Sequence, residues 1–144
     1  MRAFDTNLLV YAHRAESPFH ARAKALVVEA AQGTEAWALP WPCLHEFLSI
    51  VTNPRIFKTP TPLDVALAQV DAWLSSPTLV TLGEEREGYW EVLAHLARKG
   101  RIQGAKVHDA RVAALALFHG VDELLTADRD FSRFPDLPTR NPLA

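Results

Sequence analysis

The amino-acid sequence predicts a three-layer α/β domain, in which helices cover both faces of a central, mainly parallel sheet. Short strand-like segments alternate with helical patterns of about ten residues or more, which is typical of βαβ units. The length of 144 residues matches the usual size of one domain. Hydrophobic residues make up 49% of the chain and charged residues 22%, which suffices for a core without disulfides. We therefore expect residues 1–144 to form a single domain.

Four short apolar segments are predicted to form strands. One of them contains the run Leu79-Val80-Thr81-Leu82, whose β-branched residues favour extended structure. A further edge strand is expected near Thr139, in a tail that contains three prolines. The four predicted strands cover residues 1–4, 36–39, 79–82 and 123–126.

Six segments have the apolar spacing of amphipathic helices. Proline near the start and glycine after the end mark their boundaries, as Pro18 and Gly33 do for the second helix. The proline-rich segment 54–62 has no helical period and predicts a loop. Three aromatic residues have core spacing and are expected to pack inside: Trp73, Tyr89 and Trp90. The predicted helices cover residues 7–14, 18–31, 42–52, 62–75, 86–99 and 107–119.

Charge and cysteine content exclude several classes of protein. The 15 basic and 17 acidic residues give a formal charge of −2, which excludes a polybasic tail and a strongly cationic nucleic-acid coat. It does not exclude a nucleic-acid enzyme. The single cysteine, Cys43, allows no disulfide within the chain and fits a reducing cytoplasm. Asp5 interrupts the N-terminus, so no secretory signal is expected, and no apolar stretch reaches the roughly 18 residues of a membrane span.

Acidic residues follow two of the predicted strands. Asp5 comes directly after the first strand, and Asp128 and Asp130 come after the fourth. Ligands of parallel sheets bind at the carboxyl ends of the strands, near the point where the strand order reverses. Each acid also has an alternative interpretation, because aspartate is common at helix N-caps and in turns. Asp5 could simply cap the helix that begins near Asn7.

Two further acids lie on apolar helices. The third predicted helix is apolar nearly all round and is expected to be largely buried, yet Glu46 is the only charged residue in the segment 42–53. A buried charge needs a partner or a cation, and Arg55 or Lys58 could be that partner. The sixth helix has its polar groups in the first turn, where Asp109 could instead interact with the helix dipole.

Taken together, these carboxylates predict a site for a divalent cation. Several acids at one edge of a sheet would repel each other, and a hard cation removes that repulsion. Mg²⁺ prefers oxygen ligands and keeps several waters, so two direct carboxylates with further acids around them would suffice. Such a cation binds phosphate and activates water for attack on phosphorus. Zinc is less favoured, because the six histidines lack a close metal-ligand spacing.

Basic residues lie near the acids in the sequence. The segment 98–111 contains five lysines and arginines against one acid. Cations beside an acidic metal site suit a polyanionic substrate, although each could equally lie on a solvated helix end or loop. The candidate contacts to such a substrate are Arg55, Lys58, Lys106, Arg111 and Arg129.

These motifs resemble those of the PIN-domain family, and specifically of the VapC-type toxin ribonucleases of bacterial toxin–antitoxin pairs. The opening Phe4-Asp5-Thr6-Asn7 resembles the family's first-strand motif, and Glu46 its second acid. The segment His108-Asp109-Ala110 resembles the third motif, and the segment 125–131 the closing T-x-D-x-D-F motif. The likeness runs from residue 3 to about residue 135, and no acid of the pattern is missing.

The resemblance implies an endoribonuclease that depends on Mg²⁺ or Mn²⁺ and acts on single-stranded regions of RNA. It also implies a homodimer, inhibited by a cognate antitoxin whose peptide covers the acidic pocket. Asp5 and Asp109 would be the principal metal ligands, and Glu46 and Asp128 would complete the cluster and orient or deprotonate the attacking water. The predicted catalytic residues are Asp5, Glu46, Asp109, Asp128 and Asp130, and the supporting residues are Thr6, Asn7 and Thr126.

Other function classes remain open at this point. A phosphatase resembling the haloacid dehalogenases needs Asp-x-Asp at the end of its first strand, whereas this strand is followed by Asp5-Thr6-Asn7. A receiver-type signalling domain is less favoured, since it needs an acidic pair there and a lysine after a late strand. A non-catalytic binding module with the PIN shape is less favoured, because without a cation each of the acids would destabilise the fold.

Overall fold

A five-stranded parallel sheet forms the centre of the computed structural model, which describes residues 1–84 and 87–144. The strands are β1 (Arg2–Phe4), β2 (Trp37–Pro40), β3 (Leu79–Leu82), β4 (Glu123–Leu125) and β5 (Thr139–Arg140). Their order is β3-β2-β1-β4-β5, and every neighbouring pair is parallel. All four predicted strands form within one residue of their expected bounds, and the expected edge strand begins at Thr139.

Six helices flank the sheet in the described residues: α1 (Thr6–His13), α2 (His20–Gln32), α3 (Trp41–Val51), α4 (Leu63–Leu74), α5 (Tyr89–Lys99) and α6 (Val107–Phe118). The second helix begins two residues after Pro18, because the chain first turns. The predicted start of the fifth helix, Arg86, lies outside the described residues. Gly88, with φ of 95°, is in the left-handed region that favours glycine, and the helix begins at the next residue.

Alternate strand residues supply the two halves of the core. Ala3 and Ala38 face a cluster built by α5 and α6, whereas Phe4 and Leu39 face a cluster built by α1, α2, α3 and α4. This alternation follows from the pleat of the strands. Because helices cover both faces, the three-layer α/β prediction is confirmed. Within the described residues, no helix combines the length and apolar character needed to cross a bilayer.

The expectation that α3 is largely buried is wrong. Its inward face is formed by four buried residues: Cys43, Leu44, Phe47 and Val51. Glu46 lies beside this inward face and is exposed, as are His45 and Ser49. The helix packs along one face only, so Glu46 needs no buried partner.

The aromatic residues of α4 and α5 differ in burial from the expectation at one position. Trp73 and Tyr89 are 5% and 6% exposed, as predicted, but Trp90 is 71% exposed. Successive helix residues point about 100° apart, so a helix that directs Tyr89 into the core turns its neighbour toward solvent. The packing prediction for Trp90 is therefore wrong.

The strand order reverses between β1 and β4. From β1 the chain moves to one side for β2 and β3, and it returns on the other side for β4 and β5. Phe4 pairs with Leu125 in register, so Asp5 and Thr126 leave the same edge of the sheet side by side. This is the place where ligands of open parallel sheets bind.

Candidate active site

Asp5 lies at the bottom of the site and is only 6% exposed. Its Oδ1 accepts a hydrogen bond from the backbone amide of Thr6 at 2.8 Å, so it does cap α1 as the alternative interpretation held. Its Oδ2 accepts from the Thr126 hydroxyl at 2.7 Å and from the Asn7 side-chain amide at 3.3 Å. The Cys43 thiol donates to Oδ1 at 3.7 Å. These four donors are neutral groups.

The protonation of Asp5 reflects this environment. Burial raises the pKa of Asp5 to about 6, against the hydrogen bonds from Thr126 and Thr6, which lower it. The charges of Glu46 and Asp128 raise this pKa further. Because burial outweighs its hydrogen bonds, the ionised carboxylate stands to gain from a bound cation.

Thr126 and Asn7 connect the ends of β1 and β4. Besides donating to Asp5, the Thr126 hydroxyl accepts from the Asp128 backbone amide at 3.0 Å and from the Asn7 side-chain amide at 3.3 Å. The Asn7 carbonyl oxygen in turn accepts from the Ala127 amide at 3.2 Å. These bonds fix the direction of the Asp5 carboxylate relative to the chain that carries Asp128. For Thr6, the group that contacts Asp5 is the backbone amide.

Three further aspartates form a cluster at the same edge. One carboxylate oxygen from each of Asp109, Asp128 and Asp130 lies within 4.8 Å of the others. Asp109 is in the first turn of α6, and Asp128 precedes a 3₁₀ helix and accepts from the Asp130 amide at 2.8 Å, as a turn-forming residue does. Partial burial and the Asp128 charge raise the pKa of Asp109.

Glu46 lies on the exposed side of α3, and its charge contributes to the raised pKa values of both Asp5 and Asp109. Within the described residues, the group of converging carboxylate oxygens includes neither Glu46 nor Asp5. Within the described part of the chain, no salt bridge joins Glu46 to Arg55 or Lys58, the partners that the sequence offered.

The candidate basic residues lie in different places. Lys106 forms a salt bridge with Asp130, and Arg111 forms one with Glu84. Arg129 belongs to the 3₁₀ helix that follows Asp128. Arg55 is exposed in the loop after α3. Lys58 lines a cavity at the C-terminal end of α1, about 12 Å along that helix from Asp5.

The sequence interpretation did not place Cys43 or Glu84 near the site. Cys43 precedes Glu46 by three residues, and residues at that helical spacing are neighbours, so it could have been placed near the acids. Nothing in the sequence identifies Glu84 as the partner of Arg111, because the pair is 27 residues apart.

The donor set fits a hard divalent cation. The groups that converge are carboxylate oxygens, which Mg²⁺ and Mn²⁺ prefer. A buried aspartate with neutral partners adjoins them, connected through Thr126. Such a site can hold a cation, and the bound cation can hold a phosphate.

Comparison with known proteins identifies related sequences and folds. The sequence profile of the PIN domain matches residues 3–137. Ribonuclease VapC43 of Mycobacterium tuberculosis is 38% identical over 143 residues, covering 99% of this chain and 96% of that protein. Ribonuclease VapC48 of the same species is 33% identical over 141 residues, covering 98% and 97%.

Solved structures have the same fold. VapC20 of Mycobacterium tuberculosis, described as a toxin that cleaves the sarcin–ricin loop, aligns with a TM-score of 0.67 at 19% identity, covering 92% of this chain and 93% of that one. VapBC2 of Rickettsia felis, solved with a DNA fragment from its promoter, aligns with a TM-score of 0.64 at 23% identity, covering 97% of each chain. At these identities the structures demonstrate the fold alone.

Proposed function

The chain belongs to the PIN-domain family, and on that premise we propose that it is a VapC-type toxin endoribonuclease. Its substrate is RNA, and its reaction is the hydrolysis of phosphodiester bonds. The observation that carries this function is the acidic site at the strand-order reversal, where three aspartates converge beside the buried Asp5. The chain that builds this site is 38% identical to a ribonuclease over nearly its whole length.

The site is proposed to work with Mg²⁺ or Mn²⁺. Asp5 and Asp109 would hold the cation, with Glu46 and Asp128 completing the acidic cluster. A bound cation of this kind polarises a phosphoryl oxygen and lowers the pKa of water. The buried position and four hydrogen bonds of Asp5 support its role, because they hold one carboxylate in a fixed direction.

We assign proton transfer, RNA binding and positioning to the surrounding residues. Glu46, which is exposed, or Asp128 accepts the proton of the attacking water. Lys106, Arg111 and Arg129 lie close in sequence to the site acids and offer positive charge to the phosphates of a single RNA strand. Hydrogen bonds of Thr126 and Asn7 hold together the two segments that carry Asp5 and Asp128.

Partners are also part of the proposal. A cognate antitoxin is expected to cover the acidic site, as the resemblance to VapC-type toxins implies. VapBC2 of Rickettsia felis, which has the same fold, supports a partner of this kind. We further propose that residues 1–144 act as one domain in the cytoplasm and pair as a homodimer.

The family membership leaves no support for a phosphatase of the haloacid-dehalogenase type. The residue that such an enzyme would use as its second aspartate is here Asn7, and it serves as a bridge between β1 and β4. The remaining rival is a non-catalytic module of the same shape, which the cleavage experiment distinguishes.

The test incubates purified protein with end-labelled single-stranded RNA in Mg²⁺ or in EDTA. We expect cleavage that depends on Mg²⁺ and falls more than about a hundredfold in Asp109→Asn, which corresponds to about 2.7 kcal/mol of barrier. Asp64→Asn, an exposed aspartate in the first turn of α4, is the matched control and should cleave normally. Cleavage that survives both EDTA and Asp109→Asn contradicts the mechanism. Binding without cleavage of any RNA favours the non-catalytic module, and equal cleavage of duplex RNA contradicts the preference for single strands.

A further inference from the structure

One lysine lies at the rim of the acidic cluster. Lys106, the last residue of the short turn Gly104–Lys106 before α6, forms a salt bridge through its Nζ with Oδ2 of Asp130. One carboxylate oxygen of Asp130 lies within 4.8 Å of one from each of Asp109 and Asp128. The salt bridge therefore places Lys106 beside the cluster, although it pairs with only one of the three aspartates.

The salt bridge sets Asp130 apart from the other two aspartates. Asp130 has an ammonium group in direct contact, whereas Asp109 and Asp128 form no salt bridge within residues 1–84 and 87–144. The negative charge of Asp130 is thus already paired inside the protein. A metal ion that used Asp130 as a ligand would have to share its carboxylate with the ammonium group.

We infer that Asp130 is a positioning residue for Lys106, not a metal ligand, and that the Lys106 ammonium binds a phosphate of the RNA strand at the cleavage site. The inference rests on the proposed function and refines it. It gives separate tasks to two residues that the sequence grouped only as a catalytic acid and a candidate RNA contact.

The exposure of the pair suits this task. The Lys106 and Asp130 side chains are 41% and 48% exposed, and salt bridges between exposed groups contribute little to stability. Lys106 can therefore turn toward an arriving phosphate at small cost. Its ammonium has three donors, so it can bind a phosphate oxygen while it keeps one hydrogen bond to Asp130. Asp130 keeps the long lysine side chain at the rim and thereby reduces the entropy that RNA binding would otherwise remove.

The chain contains a matched control for this arrangement. Lys99 and Asp136 form a second lysine–aspartate salt bridge at 2.9 Å, with side chains 45% and 56% exposed. Lys99 lowers the pKa of Asp136, as Lys106 does for Asp130. Asp136 is not one of the three clustered aspartates. Changes to this pair report what the loss of an exposed lysine–aspartate bridge does by itself.

The experiment is a double-mutant cycle of Lys106→Met and Asp130→Asn, with Lys99→Met and Asp136→Asn as controls. Mg²⁺ affinity is measured by calorimetry without RNA. RNA affinity is measured in EDTA as a function of salt concentration, and single-turnover cleavage is measured in Mg²⁺.

We expect Lys106→Met to weaken RNA binding about five- to tenfold and to reduce the salt slope by nearly one phosphate contact. Asp130→Asn should weaken it about threefold alone and not at all in the Lys106→Met background, and Lys106→Arg should restore most of the binding.

Mg²⁺ affinity is the readout that separates positioning from ligation. It should change less than about twofold in Asp130→Asn, and the control pair should change none of the three measurements by more than that. A tenfold loss of Mg²⁺ affinity in Asp130→Asn, also present in the Lys106→Met background, overturns the inference. Additive losses of RNA affinity across the cycle overturn it as well. A wild-type protein that cleaves no RNA contradicts the proposed function instead, and the binding cycle in EDTA still tests the pairing.

Discussion

Asp5 forms the buried inner wall of the acidic site, and Asp130 lies at its exposed outer rim. Their surroundings shift the pKa values of the two carboxyl groups in opposite directions. Asp5 is buried among neutral donors, and burial raises its pKa to about 6. Asp130 is exposed, and the Lys106 ammonium lowers its pKa. Without a bound cation, the ionised form of Asp5 therefore destabilises the folded protein. The ionised form of Asp130 is stabilised by Lys106 and needs no metal ion.

The difference between the two aspartates also indicates which carboxylate a bound cation stabilises most. An ionised carboxylate that has lost its water and has no positive partner gains strongly from a divalent ion. A carboxylate that already has an ammonium partner gains less, because the two cations compete. The inner wall should thus control metal binding and catalysis, while the rim should control RNA binding.

The largest predicted effect is on the rate of RNA cleavage. Asp5→Asn should lower the single-turnover rate constant at saturating RNA by about a thousandfold or more, which corresponds to about 4 kcal/mol. Asp130→Asn should lower it less than about tenfold, because its charge acts only through Lys106. The measurement is rapid-quench cleavage of one labelled RNA at a fixed Mg²⁺ concentration. Equal losses in the two variants would remove the distinction between wall and rim.

The next effect is on the pH dependence of stability in EDTA. The pKa of Asp5 is about 6 in the folded protein and ordinarily about 3.9 in an unfolded chain. A raised folded-state pKa means that the stabilisation is complete below about pH 4 and is lost as the pH rises through 6. The free energy of unfolding should fall by about 3 kcal/mol in all, roughly half of it between pH 5 and 7.5.

Asp5→Asn isolates this contribution, since the pKa of Asp109 is also raised and acts in the same direction. Urea unfolding at a series of pH values should show a clearly smaller decrease with pH in the variant than in the wild type. Adding Mg²⁺ at pH 7.5 should restore stability to the wild type but not to Asp5→Asn. Parallel pH profiles for the two proteins would contradict the raised pKa of the inner carboxylate.

The sequence predicted the fold and the place of the acids well, because both follow from local patterns. Alternation of short strands with amphipathic helices is sufficient for a parallel sheet, and an acid directly after a strand must lie at its carboxyl end. Asp5, Asp128 and Asp130 lie at that edge for this reason, whereas Asp109 belongs to the first turn of α6. The identity of Asp5, Asp109 and Asp128 as metal ligands stays a prediction.

The sequence could not predict how much of each helix surface is buried by neighbouring elements. The apolar stripe of α4 is in phase, yet Leu63 and Leu67 are 59% and 41% exposed while Ala66 and Val70 are buried. The same uncertainty produced the errors at Glu46 and Trp90. Helical spacing tells which residues share a face, but the neighbouring elements determine how much of that face is covered.

Pairing across the site was equally beyond the sequence. Lys106 and Asp130 are 24 residues apart, and nothing in the segment 98–111 distinguishes Lys106 from its basic neighbours. Only the fold brings the start of α6 next to the 3₁₀ helix after β4.

The smallest predicted effect concerns the hydroxyl that connects the inner wall to the cluster. Thr126→Val keeps the shape of the side chain but removes the 2.7 Å hydrogen bond to Asp5 and the acceptor for the Asp128 amide. The loss of an orienting hydrogen bond behind a metal ligand should lower the cleavage rate about tenfold, or about 1.4 kcal/mol. Because that bond lowers the pKa of Asp5, the variant should also need a higher pH to bind Mg²⁺. Thr139→Val, on the exposed edge strand β5, is the matched control. A Thr126→Val protein with the wild-type rate and the wild-type pH dependence of Mg²⁺ binding would mean that burial alone, without orientation by the hydroxyl, prepares the inner carboxylate.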